Sequence, residues 1–289
     1  MNITKMSPAK SDTEKQVKTE TLRFHKLIPN LMTLTALAAG LTAIQLSMHG
    51  KWESAVIAIV IAGVLDAMDG ATARLLKAQS DFGAQLDSFS DFLAFGVAPS
   101  LLLYSWVLEE AGKIGWIAML VFSAAMALRL SRFNVTKREE MPEWKRGFFS
   151  GVPAPGGAGL ALLPLFIWLQ SPDLFGNLNF ATPLIGLWVI FVAALMVSRI
   201  PTFSTKQIHL PTKMAMPALA LGALAIAALI QAPWQTLTIT SMVYLASIPL
   251  AIRHFLKLKK EHADDEDITD IALGASTNFN PLPTDDKDV

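Results

Sequence analysis

The chain has 289 residues, 52% of them hydrophobic and only 17% charged, against roughly a quarter charged in ordinary soluble domains. Its formal net charge of zero selects no partner, and the absence of cysteine excludes disulfides, thiolate metal sites and thiol nucleophiles. The apolar residues gather in blocks about twenty long, the length that crosses a hydrocarbon core of about 30 Å. This pattern predicts an all-α, polytopic membrane helix bundle rather than a soluble domain.

In chain order, residues 1–27 are polar and carry six basic side chains, which suits a cytoplasmic segment near anionic headgroups. The first apolar block begins only near residue 28. It is too long for a signal h-region and lacks a small-x-small cleavage site, so it is expected to be a span rather than a signal peptide. Eight apolar windows follow, near 28–48, 53–75, 84–107, 114–133, 151–169, 178–198, 214–231 and 235–256. The fifth opens with GVPAPGGAG, which has no phosphate-loop pattern and reads as an irregular, closely packed helix start. The resulting organisation is an N-terminal segment over 1–27, a transmembrane domain over 28–258 and a disordered acidic tail over 259–289.

Charge distribution supports that count. Of 24 Lys and Arg residues, only Lys51 and Lys113 fall in the odd-numbered loops. The rest lie in the tails, in the even-numbered loops or at the adjoining helix ends, among them Arg74, Lys77, Lys137, Arg138, Lys145, Arg146, Lys206 and Lys213. By the positive-inside rule both termini are cytoplasmic. Trp52, Trp106, Trp116 and Trp234 stand near span ends, as interfacial aromatic residues do. His25, His49, His209, His254 and His262 show no metal-ligand spacing.

The chemistry-bearing stretch runs from Asp66 to Asp91. Asp66, Asp69, Gly70 and Ala73 are spaced i, i+3, i+4, i+7 and share one face of the second helix. Gly83, Asp87 and Asp91 are spaced i, i+4, i+8 and line one face of the third. The two helices are antiparallel across a short loop, so four carboxylates converge in the cytoplasmic half of the membrane. Each carboxylate near a bilayer centre costs about 2.5–3.5 kcal/mol, and four together also repel one another. Packing alone accounts poorly for four of them on matched faces. Hard oxygen ligands without nearby His or Cys point to Mg²⁺, Mn²⁺ or Ca²⁺ rather than zinc. Four aspartates suffice for two such ions, the arrangement that clamps a phosphoryl group during displacement.

The same stretch reads D-x2-D-G-x2-A-R-x8-G-x3-D-x3-D, eight anchors over 26 residues. It resembles the signature of the CDP-alcohol phosphatidyltransferase family. Further segments look like its phosphatidylserine synthase branch: Ile28-Pro29-Asn30 with Thr33, Ser90-Asp91-Phe92, Phe95-Gly96-Val97-Ala98-Pro99, Arg129 through Asn134, and Phe149 through Pro155. The resemblance covers roughly residues 28–200.

It implies that Asp66, Asp69, Asp87 and Asp91 ligate two divalent ions, Mg²⁺ or Mn²⁺ with Ca²⁺ also admissible. It implies that Asp91 doubles as general base, and that Asn30, Thr33, Gly70, Ala73, Arg74 and Gly83 bind a CDP-diacylglycerol donor. L-Serine would be the acceptor, its carboxylate held by Arg132, Arg129 or Arg199, because the guanidinium fork matches a carboxylate. A homodimer in the cytoplasmic (inner) membrane, its active site toward the cytoplasm, follows by the same analogy. Nothing points to nucleic acid.

Alternatives remain open at this point. The same chemistry extends to choline, inositol or glycerol phosphate, although Asp91-Phe92 departs from the D-K of the glycerol-phosphate branch. An ion-coupled transporter would call for a corresponding broken-helix pair in each half, and 150–260 holds no counterpart of the aspartate pair.

Overall fold

The computed structural model describes residues 27–135, 147–175, 178–203 and 215–277. The chain forms an all-α membrane protein of nine α-helices among the described residues, plus one two-stranded ribbon. These are α1 (Ile28–Met48), α2 (Trp52–Leu75), α3 (Asp81–Asp91), α4 (Ala98–Trp106) and α5 (Lys113–Val135), then α6 (Ala154–Gln170), α7 (Leu178–Val197), α8 (Ala215–Gln231) and α9 (Pro233–Thr277). A π-helical turn, Phe92–Val97, joins α3 to α4, so 81–106 forms one crossing.

Packing is tightest where side chains are smallest. The buried face of α1 is Pro29, Thr33, Ala36, Gly40, Ala43 and Ser47, a 3–4 residue repeat that lies along α2 and the 81–106 crossing. A Cβ on Gly40 would stand 2.8 Å from Leu93 and 3.0 Å from the Ala94 backbone, so only glycine permits this approach. The opposite faces carry exposed Leu31, Leu75, Ile117, Leu187 and Leu224. Large apolar side chains outside and small ones inside are what a protein solvated by lipid requires, because lipid tails are as apolar as leucine.

Two local devices shape the site. Ser80 caps α3 by accepting from the Gly83 amide at 3.0 Å, which fixes where the third helix starts. Twelve residues after Ser80, immediately after Asp91, the π turn begins. Pro99 has no amide to offer the Phe95 carbonyl four residues earlier, which removes one α-type bond from this turn. Farther along, β1 (Phe148–Ser150) and β2 (Pro201–Phe203) pair antiparallel, with Phe149 opposite Thr202. Gly151 then turns the chain with φ +79°, its amide donating to Ile200 O at 2.8 Å. A Cβ there would meet Met196 O at 2.5 Å, so both conformation and space demand glycine.

All eight apolar blocks become helical, with ends within three residues of expectation except at the last. Among the described residues, five stretches are long and apolar enough to cross a membrane, including Pro233–Glu261 of α9. Ala154–Gln170, Ala181–Val197 and Leu219–Gln231 are shorter apolar helices. The last helix corrects the expectation of a disordered tail from 259, since α9 continues to Thr277. Lys257 and Glu261 pair one turn apart at 3.7 Å, and the following residues include no proline and no glycine before Gly274. Trp106 also departs from the interfacial reading: it is buried against Trp168 with centroids 5.6 Å apart. The expectations for 1–26, for Lys137, Arg138, Lys145, Arg146, Lys206 and Lys213, and for 278–289 lie outside the described residues.

Candidate active site

Helical periodicity sets the arrangement. Residues 66, 69, 70 and 73 face α3 from the last third of α2, while 83, 87 and 91 face back from α3. Carboxylate oxygens of Asp66, Asp69 and Asp87 all lie within 4.8 Å of one another. Asp91 stands one turn beyond Asp87, within hydrogen-bonding reach of Asp66 and in the field of Arg129 from α5. Its Oδ1 is buried without a hydrogen-bond partner.

Asp69 is the most enclosed of the four, only 4% exposed. Thr33 Oγ1 donates to its Oδ2 at 2.6 Å while lying 3.0 Å from Pro29 O. Ser90 Oγ, next to Asp91, donates in turn to Thr33 O at 3.2 Å. α1 therefore holds α2 and the third crossing in register at the carboxylates. Beside Asp87, Asn134 Nδ2 donates to Ser88 Oγ at 2.9 Å and ties α5 to the same helix.

A cleft of about 450 Å³ opens beside this cluster. Asn30 and Thr33 line it from α1, Asp69, Gly70, Ala73 and Arg74 from α2, and Gly83 and Asp87 from α3. Every residue expected to bind the donor is thus gathered in one cavity. Gly83 is glycine because a Cβ would come within 3.0 Å of Asn30 Oδ1 and 3.1 Å of Ser80 Oγ. A Cβ on Gly70 would meet only Arg74 Nη1, at 3.7 Å, so the space above that residue is open for a ligand. The loop residues Gln79 and Ser80 and the first residue of α3, Asp81, also line the cleft, and sequence alone does not single them out. The Ser80 cap was the available signal.

None of the three candidate arginines lines this cleft. Arg132 Nη1 donates to Val197 O at 2.7 Å and Ser198 O at 3.3 Å, closing the C-terminal end of α7. Arg199 is exposed just past that end. Arg129 donates through Nε to Val152 O at 2.8 Å, lies 5.9 Å from the Phe133 ring centroid and faces Asp91.

The donor set suits a hard divalent cation. Three carboxylates offer oxygens at mutual distances one ion can span, and the Asp91 oxygen has no other partner. The family model for CDP-alcohol phosphatidyltransferases matches residues 26–200. The chain belongs to the CDP-alcohol phosphatidyltransferase family. A second model, CDP-alcohol phosphatidyltransferase 2, matches residues 213–249. Family membership thus covers the helices that carry the aspartates, the cleft and all three arginines. Among similar proteins is the CDP-diacylglycerol–serine O-phosphatidyltransferase of Mycobacterium leprae (strain TN), 34% identical over 244 residues, or 83% of this chain and 80% of that one. The protein of the same name from Helicobacter pylori (strain ATCC 700392 / 26695) is 34% identical over 174 residues, 60% of this chain and 70% of its own. That of Bacillus subtilis (strain 168) is 41% identical over 138 residues, 48% and 74% respectively.

Proposed function

We propose that this chain transfers the phosphatidyl group from CDP-diacylglycerol to L-serine, giving phosphatidylserine and CMP. The observation that carries the reading is the convergence of Asp66, Asp69 and Asp87 within 4.8 Å beside a cleft lined by Asn30, Gly70, Ala73 and Arg74. The shared name of the mycobacterial, Helicobacter and Bacillus relatives supports serine as acceptor.

Asp66, Asp69, Asp87 and Asp91 would hold two divalent ions, Mg²⁺ or Mn²⁺ first and Ca²⁺ next by ligand preference. Bound there, the ions would neutralise the donor diphosphate and stabilise departing CMP. The chain's own groups do the rest. Gly70 and Ala73 leave room for the nucleotide against the backbone of α2, and Arg74 orients the diphosphate. Asp91 accepts the serine hydroxyl proton as that oxygen attacks the lipid-side phosphorus and the bond to CMP breaks. The buried, unpartnered Oδ1 of Asp91 suits it to that role.

The eight apolar helices and the segregated basic residues support eight spans with both termini in the cytoplasm. The transmembrane domain then spans 28–258 in the inner membrane, its carboxylates toward the cytoplasm. A homodimer follows from family analogy. The test is radiolabelled serine incubated with CDP-diacylglycerol, Mn²⁺ and purified protein, with lipid product and CMP formed one to one. Turnover with choline, inositol or glycerol phosphate but not serine would overturn the acceptor. Turnover with none of the four would overturn the reaction.

A further inference from the structure

Among the described residues, three buried side-chain polar atoms lack any hydrogen-bond partner: Asp91 Oδ1, Trp106 Nε1 and Tyr244 Oη. Two of the three stand in the field of the same guanidinium, that of Arg129. Tyr244 comes from α9, outside the residues that carry the aspartate motif. Its ring lies against the backbone of α6, where a Cβ on Gly156 would stand 3.2 Å from Cε1 and 3.3 Å from Cζ. Thr202 of β2 faces the phenol while its own hydroxyl proton goes to Gly151 O at 2.8 Å, and the phenol oxygen is buried with no hydrogen bond of ordinary length. A buried hydroxyl without a partner is costly to keep, so a phenol held this firmly points to a ligand that completes it.

Arg129 narrows the chemistry of that ligand. Its Nε is anchored on Val152 O at 2.8 Å, and the two Nη groups carry the remaining four N–H donors of the guanidinium. Arg132, the other central arginine, is engaged with the carbonyls of Val197 and Ser198. A guanidinium fork beside a phenol hydroxyl that can donate suits a planar carboxylate. Asp91 facing the same guanidinium puts that carboxylate within an amino acid's length of the base.

We infer that Tyr244 and Arg129 bind the carboxylate of an amino-acid acceptor, and that Tyr244 sets the preference for carboxylate-bearing acceptors over amino alcohols. This inference rests on the proposed serine transfer and adds a specificity residue to it. With serine bound, the phenol donates to one carboxylate oxygen and the fork of Arg129 to the other. An acceptor lacking the carboxylate leaves the buried phenol without its partner and the Arg129 fork without a second carboxylate, which is how a hydrogen-bonding site rejects an isostere.

The experiment compares purified wild type with Tyr244→Phe on L-serine and on serinol, which replaces the carboxylate by a hydroxymethyl group. Expected is a rise in KM for serine of roughly 10- to 100-fold, the weight of one hydrogen bond to a charged group. KM for CDP-diacylglycerol stays unchanged, and the serine-to-serinol ratio of kcat/KM falls by a similar factor. Gly156→Ala provides a second background, since it presses a methyl group on the Tyr244 ring while keeping the hydroxyl. It should lower the same ratio by a smaller factor. An unchanged ratio in both variants, or equal losses on serine and serinol, overturns the role of Tyr244. Wild type inactive on serine defeats the underlying function instead, and the two failures are told apart by that control.

Discussion

Thr33→Val is the most informative single change at the carboxylate end of the site. Valine keeps the shape of threonine and removes only the hydroxyl that donates to Asp69 Oδ2 at 2.6 Å. Asp69 is 4% exposed, so little water reaches the face that Thr33 covers. A hydrogen bond to a charged group contributes about 1.5–3 kcal/mol, which corresponds to roughly 10- to 150-fold in an equilibrium constant. The loss falls on the orientation of one ligand, and changes of this kind typically weaken metal affinity by about 10–100-fold. The expected outcome is a Mn²⁺ midpoint for activity raised by that factor, with kcat nearly restored at saturating Mn²⁺. Metal titration of serine incorporation at saturating CDP-diacylglycerol measures it. An unchanged midpoint would refute the claim that Thr33 orients Asp69. A kcat that saturating metal does not restore would move Thr33 into direct contact with substrate.

Three further outcomes follow from the same geometry. Exhaustive chelation should abolish turnover and Mn²⁺ or Mg²⁺ should restore it, because among the described residues only Arg129 is seen to bring opposite charge to Asp91; full activity in chelator would exclude the metal assignment. Asp91→Asn should lower kcat by about 10²–10⁴-fold while CDP-diacylglycerol binding weakens far less, and recovery of normal kcat at saturating Mn²⁺ would leave Asp91 a ligand only. Tags placed at residues 1 and 289 should both resist external protease in intact cells, and cleavage of just one would require an odd number of spans.

The parts of the molecule that sequence exposes are those set by local periodicity. The helix pair bearing the aspartates is legible because a 3.6-residue repeat places 66, 69, 70 and 73 on one face and 83, 87 and 91 on another. That reasoning holds only as far as the α geometry does, and the π turn begins at Phe92, immediately after its last useful residue. The features that escape it depend on partners distant in the chain. Arg132 looks as suitable for a carboxylate as Arg129 until Val197 and Ser198 arrive 65 and 66 residues later as carbonyl acceptors. Backbone carbonyls at a helix end have no side-chain signature, so nothing in the sequence marks their demand for a donor. The helix beyond residue 259 was missed for another reason: an apolar window stops at the membrane surface, whereas backbone hydrogen bonds do not.

The site divides into a local half and a distant half, and the division bears on how one motif serves several acceptors. The cleft proposed for the nucleotide draws on residues between Pro29 and Asp87, in the first three helices and the loop that joins the second to the third. The region around Arg129 draws instead on Val152 and Tyr244, from the turn before α6 and from α9. Asp91 belongs to both, since it follows Asp87 on the same face of α3 and faces Arg129. An in-line displacement needs its attacking and leaving oxygens on opposite sides of phosphorus. On the proposed reading, CMP would leave into the cleft and the acceptor would approach from the Arg129 side, where Asp91 would take its hydroxyl proton. Acceptor choice would then be governed by residues outside the aspartate motif. Substitutions at Arg129 or Tyr244 should alter which alcohol is used, whereas substitutions at Gly70 or Gly83 should alter only whether the donor binds.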